Sequence, residues 1–160
     1  MATTTYAAIR DLQVTAIRAI APTSHAGELF KVATDEGNFR DWARANPQAC
    51  FRRFTVRYLS EDEPEASNLD AEYRTVEAEI VVAYPGKTPA KWGSENLRDM
   101  SDIMREDAIS LNNAAGHRGY SNITVAATII SSRPVYEGED GDALRFLVLP
   151  YTVRYWESVG

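Results

Sequence analysis

The stretch Thr75-Val76-Glu77-Ala78-Glu79-Ile80-Val81-Val82-Ala83-Tyr84 decides how this chain folds. Val76, Ala78, Ile80, Val82 and Tyr84 share one parity, and Glu77 and Glu79 take the other. That two-residue period is the signature of a strand with one wet and one buried face. The strand is expected from about Glu72 to Tyr84, where Pro85-Gly86 breaks it. Upstream, Phe54, Val56 and Tyr58 alternate with Thr55, Arg57 and Leu59, which predicts a partner strand over Phe51–Leu59. Between them, Ser60-Glu61-Asp62-Glu63-Pro64-Glu65-Ala66-Ser67-Asn68 is acidic, holds a proline and lacks large apolar residues, so it reads as a loop. Two such strands joined this way form an antiparallel hairpin.

A second hairpin is expected in the last third. Ile123, Val125, Ala127 and Ile129 share a parity within Ser121–Val135, and Ala143 to Trp156 is strand-like again. The link Glu137-Gly138-Glu139-Asp140-Gly141-Asp142 is a turn by its glycines and acidic by its charges. Pro150 lacks an amide donor, so a bend, bulge or edge is expected there.

Helical spacing fills the rest. Ile9, Leu12, Ala16, Ile17 and Ile20 mark one face of a helix over about Thr5–Ile20, stopped by Pro22. Asn38 begins a short helix, Phe39–Ala45, that Asn46-Pro47 ends. Ser94 begins a long helix ending near Ala115 at Gly116, with Leu97, Met100, Ile103, Met104, Ala108 and Leu111 as its apolar stripe. Residues Thr23–Gly37 are ambiguous, with Leu29, Phe30 and Val32 expected to pack on the core as an irregular or short extended segment. The expectation is one α+β domain spanning 1–160: a mostly antiparallel four-stranded sheet of two hairpins, with the N-terminal helix and the long central helix packed on one face.

Composition sets bounds. A chain of 160 residues fits one ordinary domain and buries about 70% of its unfolded surface. With 44% hydrophobic and 25% charged residues it is too apolar for disorder. No apolar run approaches the ~20 residues that cross a bilayer, so no membrane partner is expected. Met1-Ala2-Thr3-Thr4-Thr5 shows neither a basic segment nor an apolar core, so no signal peptide is expected. One cysteine, Cys50, cannot form an internal disulfide, which fits a reducing compartment. A net charge of −6 argues against a nucleic-acid coat, although Arg40/Arg44 and Arg52/Arg53/Arg57 are local basic clusters.

Chemistry is hard to find. His25 and His117 have no partner at ligand spacing, and no zinc, EF-hand, Walker, dinucleotide or nucleophile-elbow pattern occurs. No catalytic, cofactor-binding or metal residue is assigned, no cofactor is expected, and the chain is expected not to be an enzyme. Trp42, Trp92 and Trp156 are core residues or interface anchors, with Trp92, beside Pro89 and Lys91, the best anchor.

The whole layout resembles small tail-terminator and head–tail joining (neck) proteins of tailed bacteriophages. The resemblance is carried by the helix Thr5–Ile20, the hairpin Phe51–Tyr84 with its loop Ser60–Ala71, and the helix Glu95–Ala115. The final hairpin, ending Leu147-Val148-Leu149-Pro150-Tyr151-Thr152-Val153-Arg154-Tyr155-Trp156, completes it. It implies a structural virion protein at the head–tail junction, assembled in the host cytoplasm. Such proteins form a ring, commonly hexameric, at the head-proximal end of the tail, end tube growth and present the docking surface for the filled head. The implied partners are further copies of the chain, the tail-tube protein and the head-completion or connector protein. DNA passes through the ring without being read. A closed ring needs a heterologous interface. The segments expected to form it are Glu61, Asp62, Glu63 and Glu65; Lys91 and Trp92; and Glu137, Glu139, Asp140 and Asp142. The alternatives are another neck, head-completion or tail-tube subunit, or a small cytosolic ligand-binding or enzymatic domain using Arg52, Arg57, His117 and Tyr120.

Overall fold

The computed structural model describes residues 5–21, 29–33, 38–47, 49–61, 65–66, 71–86, 100–121, 126–139 and 144–158. Helix α1 spans Tyr6–Arg18, with the Thr5 hydroxyl accepting from the Ala8 amide at its start. Strand β1 is Lys31–Val32, helix α2 is Phe39–Ala45, and strand β2 is Arg53–Glu61. The short β3, Glu65–Ala66, precedes the long β4, Ala71–Pro85. Helix α3, Met100–Leu111, runs into a π-helical turn, Asn112–Gly116. Strands β5 (Arg118–Ser121), β6 (Ala126–Ser131), β7 (Val135–Glu139) and β8 (Leu144–Ser158) follow.

All strands join one eight-stranded sheet in the order β1-β2-β4-β8-β6-β5, with β3 added on β4 and β7 on β8. The alternation at 75–84 is explained directly. Val56 pairs with Ile80 and Arg57 with Glu79, and Ile80 pairs onward with Leu149, so like faces are matched across three strands.

The expected architecture is overturned. Strand predominates over helix among the described residues, and the sheet is larger than four strands and mixed. β1 lies parallel to β2, with Lys31 beside Arg53 and Val32 beside Phe54. This strand comes from the ambiguous region, where a short extended segment through Val32 was one reading; two residues are too short for a period to register. The long central helix is corrected too. Its regular part is twelve residues, and the expected start at Ser94 lies outside the described residues.

The last hairpin is also different. The expected single strand 121–135 is broken: Ser121 ends β5, 126–131 form β6 and Val135 opens β7, which carries the expected turn residues Glu137–Glu139 as strand, and both β6 and β7 lie along β8. Their break at Ser132–Pro134 faces Pro150, whose carbonyl accepts from the Ser132 amide. In an antiparallel ladder the N–H and C=O of one residue point to the same neighbour. The donor that Pro150 lacks is therefore missing on the side of the break. β8 runs on through the proline, and its partner is the strand that is interrupted.

Helices cover both faces, not one. Ile9, Gln13 and Ile17 of α1 and Met100, Ile103, Met104, Asp107, Ala108 and Leu111 of α3 are buried. They share a core with Val56, Val76, Ile80, Val82, Leu147, Leu149, Tyr151 and Val153. On the other face, α2 sets Phe39 and Ala43 over Val81, Ala83, Leu144, Phe146 and Val148. One end of the sheet is thus buried on both sides, and the other end, around Glu77, Thr152, Arg154 and Thr128, is bare on the α2 side only.

Candidate functional site

Polar chemistry inside the molecule concentrates at Arg52, Tyr84 and Asp107, each buried. Arg52 sits in the turn before β2 with φ 56, a left-handed conformation for a non-glycine residue. Its amide donates to the Ala83 carbonyl and its carbonyl accepts from the Lys31 amide, both at 3.0 Å. Its guanidinium lies 5.1 Å from the ring centres of both Phe30 and Phe51. Nε and Nη2 donate to the two oxygens of Asp107 at 2.9 and 2.6 Å, and the Tyr84 hydroxyl donates to Oδ2 at 2.7 Å.

Burial pushes the Asp107 carboxyl upward, against the pull of Arg52 and Tyr84. Burial, with the neighbouring Asp107, pushes the Tyr84 phenol well above its ordinary range. This triad ties α3, β4 and the turn before β2 together. With 1% exposure on Arg52 and on Asp107, it meets no ligand from solvent. The sequence made Arg52 a member of a local basic cluster; nothing local marks it as the arginine that is enclosed among the described residues.

A second buried network holds α1 to the π-helical turn. Gln13 donates to the Ala115 carbonyl and accepts from the Tyr151 hydroxyl, both at 3.0 Å. Cys50 is buried beneath α2, and burial pushes its thiol up to about 11, which makes it a poor nucleophile.

The four residues considered for a small-ligand pocket do not converge. Arg52 is enclosed, whereas Arg57 stands on the α2 face 3.7 Å from Glu79. His117 is exposed after the π-helical turn, and Tyr120 is half-buried in β5 with its hydroxyl buried and unpartnered.

The expected interface residues fall on two flanks. Glu61 ends β2 and pairs with Arg74, and Glu65 lies in β3 opposite Tyr73. Glu137 accepts from Arg40 of α2 at 2.7 Å, and Glu139 pairs with Leu144 at the end of β7. β4 occupies one side of β8 along its whole length, so β7 and β6 lie on the other side, away from β2. Asp62, Glu63, Lys91, Trp92, Asp140 and Asp142 lie outside the described residues.

The fold exposes apolar side chains on both flanks. Tyr58 and Leu59, on the β2 flank, are each 48% exposed. This edge is protected higher up: Ala33 donates to the Phe54 carbonyl, and Arg10 Nε donates to the Val56 carbonyl at 3.0 Å in place of a strand. On the far flank, Val135 and Tyr136 of β7 are exposed, and Tyr136 lines a groove of about 300 Å³ with Ser101, Met104, Arg105, Glu137 and Arg145. Ile130 and Trp156 stand on the bare end of the sheet, over a groove of about 360 Å³ shared with Tyr120, Thr128 and Arg154. Trp156, read as a core residue or an anchor, is exposed. Ile130 and Tyr136 were not singled out, although Ile130 falls on the polar parity of its strand.

Among the described residues, no group of three or more His, Cys, Asp or Glu side chains is placed to hold a metal ion. No described helix is long and apolar enough to cross a membrane. No protein-family model matches the chain, and a search of curated proteins finds no match.

Proposed function

We propose that this chain is an assembly subunit that closes into a ring at the head-proximal end of a bacteriophage tail, where it ends tube growth and joins tail to head. The observation that supports assembly is the placing of exposed apolar side chains on opposite flanks of one sheet. Tyr58 and Leu59 lie on one flank, and Val135 and Tyr136 lie on the other. A two-fold dimer uses one self-complementary patch, whereas a ring uses two different patches per subunit. Large exposed apolar side chains gathered in patches mark association surfaces. The phage setting rests on the resemblance in element order described above. In that setting the partners are further copies, the tail-tube protein and the head-completion protein, and the chemistry is non-covalent.

The test is solution mass by light scattering over a concentration series, with negative-stain images of the same fractions. A discrete closed ring with a central hole is the expected result, followed by capping of purified tail tubes. Open filaments of unlimited length would instead assign the chain to the tube. A strict monomer that also fails to bind tail tubes would remove the assembly reading.

A further inference from the structure

The groove of about 300 Å³ between α3 and β7 is walled by Ser101 and Arg105 of α3, Tyr136 and Gly138 of β7, and Arg145 of β8. In the sheet Tyr136 pairs with Leu147, Gly138 with Arg145, and Arg145 onward with Tyr84. Directly paired residues share a face, so Tyr136 and Arg145 stand on the α3 side with Leu147 and Tyr84. Gly138, opposite Arg145, has no side chain to fill the space beside it. Glu137 also borders the groove, but it pairs with Phe146 on the α2 side, and its carboxylate accepts from Arg40 at 2.7 Å.

Arg145 is the unbalanced group here. Its Nη1 donates to the Ser101 hydroxyl at 2.5 Å, and its Nε is enclosed and meets no acceptor. No carboxylate of the described residues pairs with it. Other enclosed or partly enclosed arginines do have one: Arg52 has Asp107, Arg40 has Glu137 and Arg74 has Glu61. Drawing a guanidinium away from water without a counter-ion is costly. Arg105, the second cation of the groove, donates to Asp102 at 2.9 Å. Both partners of that pair are more than half exposed, so it contributes little and exchanges readily.

We infer that this groove is an oxyanion site, in which the carboxylate or phosphate group of a small molecule binds between Arg145 and Arg105. Guanidinium groups match both kinds of oxyanion through paired N–H donors. The anion supplies the counter-charge that the chain does not give Arg145. A volume of about 300 Å³ is at the small end of ligand pockets, which suits a small molecule. The half-exposed ring of Tyr136 forms a flat wall for the rest of it. The net charge of −6 does not oppose binding, because the nearest charges dominate at contact distance. The groove belongs to a single subunit, so its test does not depend on copies associating.

The experiment is thermal unfolding of the full chain at constant ionic strength, with inorganic phosphate or acetate replacing chloride in separate series. The melting temperature is expected to rise with the concentration of at least one of them, since a ligand that binds only the native state stabilises it. Which anion acts separates a phosphate site from a carboxylate site. Titration calorimetry then reads the affinity, which is expected to fall about 10-fold or more in Arg145→Gln, through the loss of a hydrogen bond to a charged group. Should Arg145→Gln not fold, Ser101→Asp decides the matter. It sets a carboxylate of the chain itself beside Arg145, in the first turn of α3 where a negative charge is favoured. This variant is expected to fold and to lose the anion-dependent rise, because the site is already filled. Arg133→Gln, at an exposed arginine in the break between β6 and β7, is expected to keep the rise. No rise with either anion would overturn the inference. So would a rise that persists undiminished in Ser101→Asp, or one that Arg133→Gln removes equally.

Discussion

Arg52 combines a left-handed backbone with a fully enclosed guanidinium. For an L residue that backbone costs about 1–2 kcal/mol, and removing the charge from water costs several more. The conformation persists because backbone bonds to Ala83 and Lys31 and the two-pronged pair with Asp107 fix it from both ends. Replacing Asp107 by Ala leaves the guanidinium buried and the Tyr84 hydroxyl without its acceptor. That change is expected to lower stability by about 3–5 kcal/mol, read as a shift in urea midpoint at unchanged slope. A chain carrying Arg52→Met, Tyr84→Phe and Asp107→Leu together removes all the polar groups at once and is expected to recover most of the loss. A loss under about 1 kcal/mol for Asp107→Ala would show that the triad is not the clamp described. Nothing in the sequence pointed to this triad. Its members are 23 and 55 residues apart, and separations of that size leave no local period.

Among the elements, the π-helical turn Asn112–Gly116 is the tightest fit. A Cβ at Gly116 would lie 2.5 Å from a methyl of Leu149 and 3.3 Å from the Asn112 carboxamide oxygen. The turn can approach β8 this closely only because the side chain is absent. Gly116→Ala is therefore expected to cost about 1–3 kcal/mol, from overpacking against a central strand. Thermal unfolding measures it, and an unchanged midpoint would mean that the turn moves freely away from β8. The sequence placed a helix end at Gly116 from its glycine. It could not place the turn against Leu149, because that depends on how α3 lies on the sheet. Pro150 shows the same division. The missing donor was legible, but the strand that would be interrupted depended on which neighbour the proline faced.

At the scale of the molecule, the sheet is buried on both faces at one end and on one face at the other, and both of its flanks expose apolar side chains. Tyr58 and Tyr136 stand on those flanks, each about half exposed. Changing either to Lys places a charge on an edge, a device by which strands avoid pairing. Each single variant is expected to keep the parent's melting temperature within a few degrees, since surface changes are usually within about 0.5 kcal/mol, and to lose assembly by light scattering. If both variants assemble normally, the apolar flanks are not the contact surfaces.

The sequence by itself determined most of the local structure. Alternation placed β2 and β4, the 3.6-residue spacing placed α1, Asn38 and Asn46-Pro47 bounded α2, and the lack of ligand-spaced histidines and cysteines was plain from the start. These signals are local: a period of two or of 3.6 residues records which side of an element is buried. Tertiary structure alone decided the rest. It joined the strands into one mixed sheet and put α2 on the face opposite α1 and α3. It also enclosed Arg52 while leaving Arg118 exposed. The reason is that pairing, register and enclosure depend on residues tens of positions apart, whose meeting is fixed only when the whole sheet is assembled.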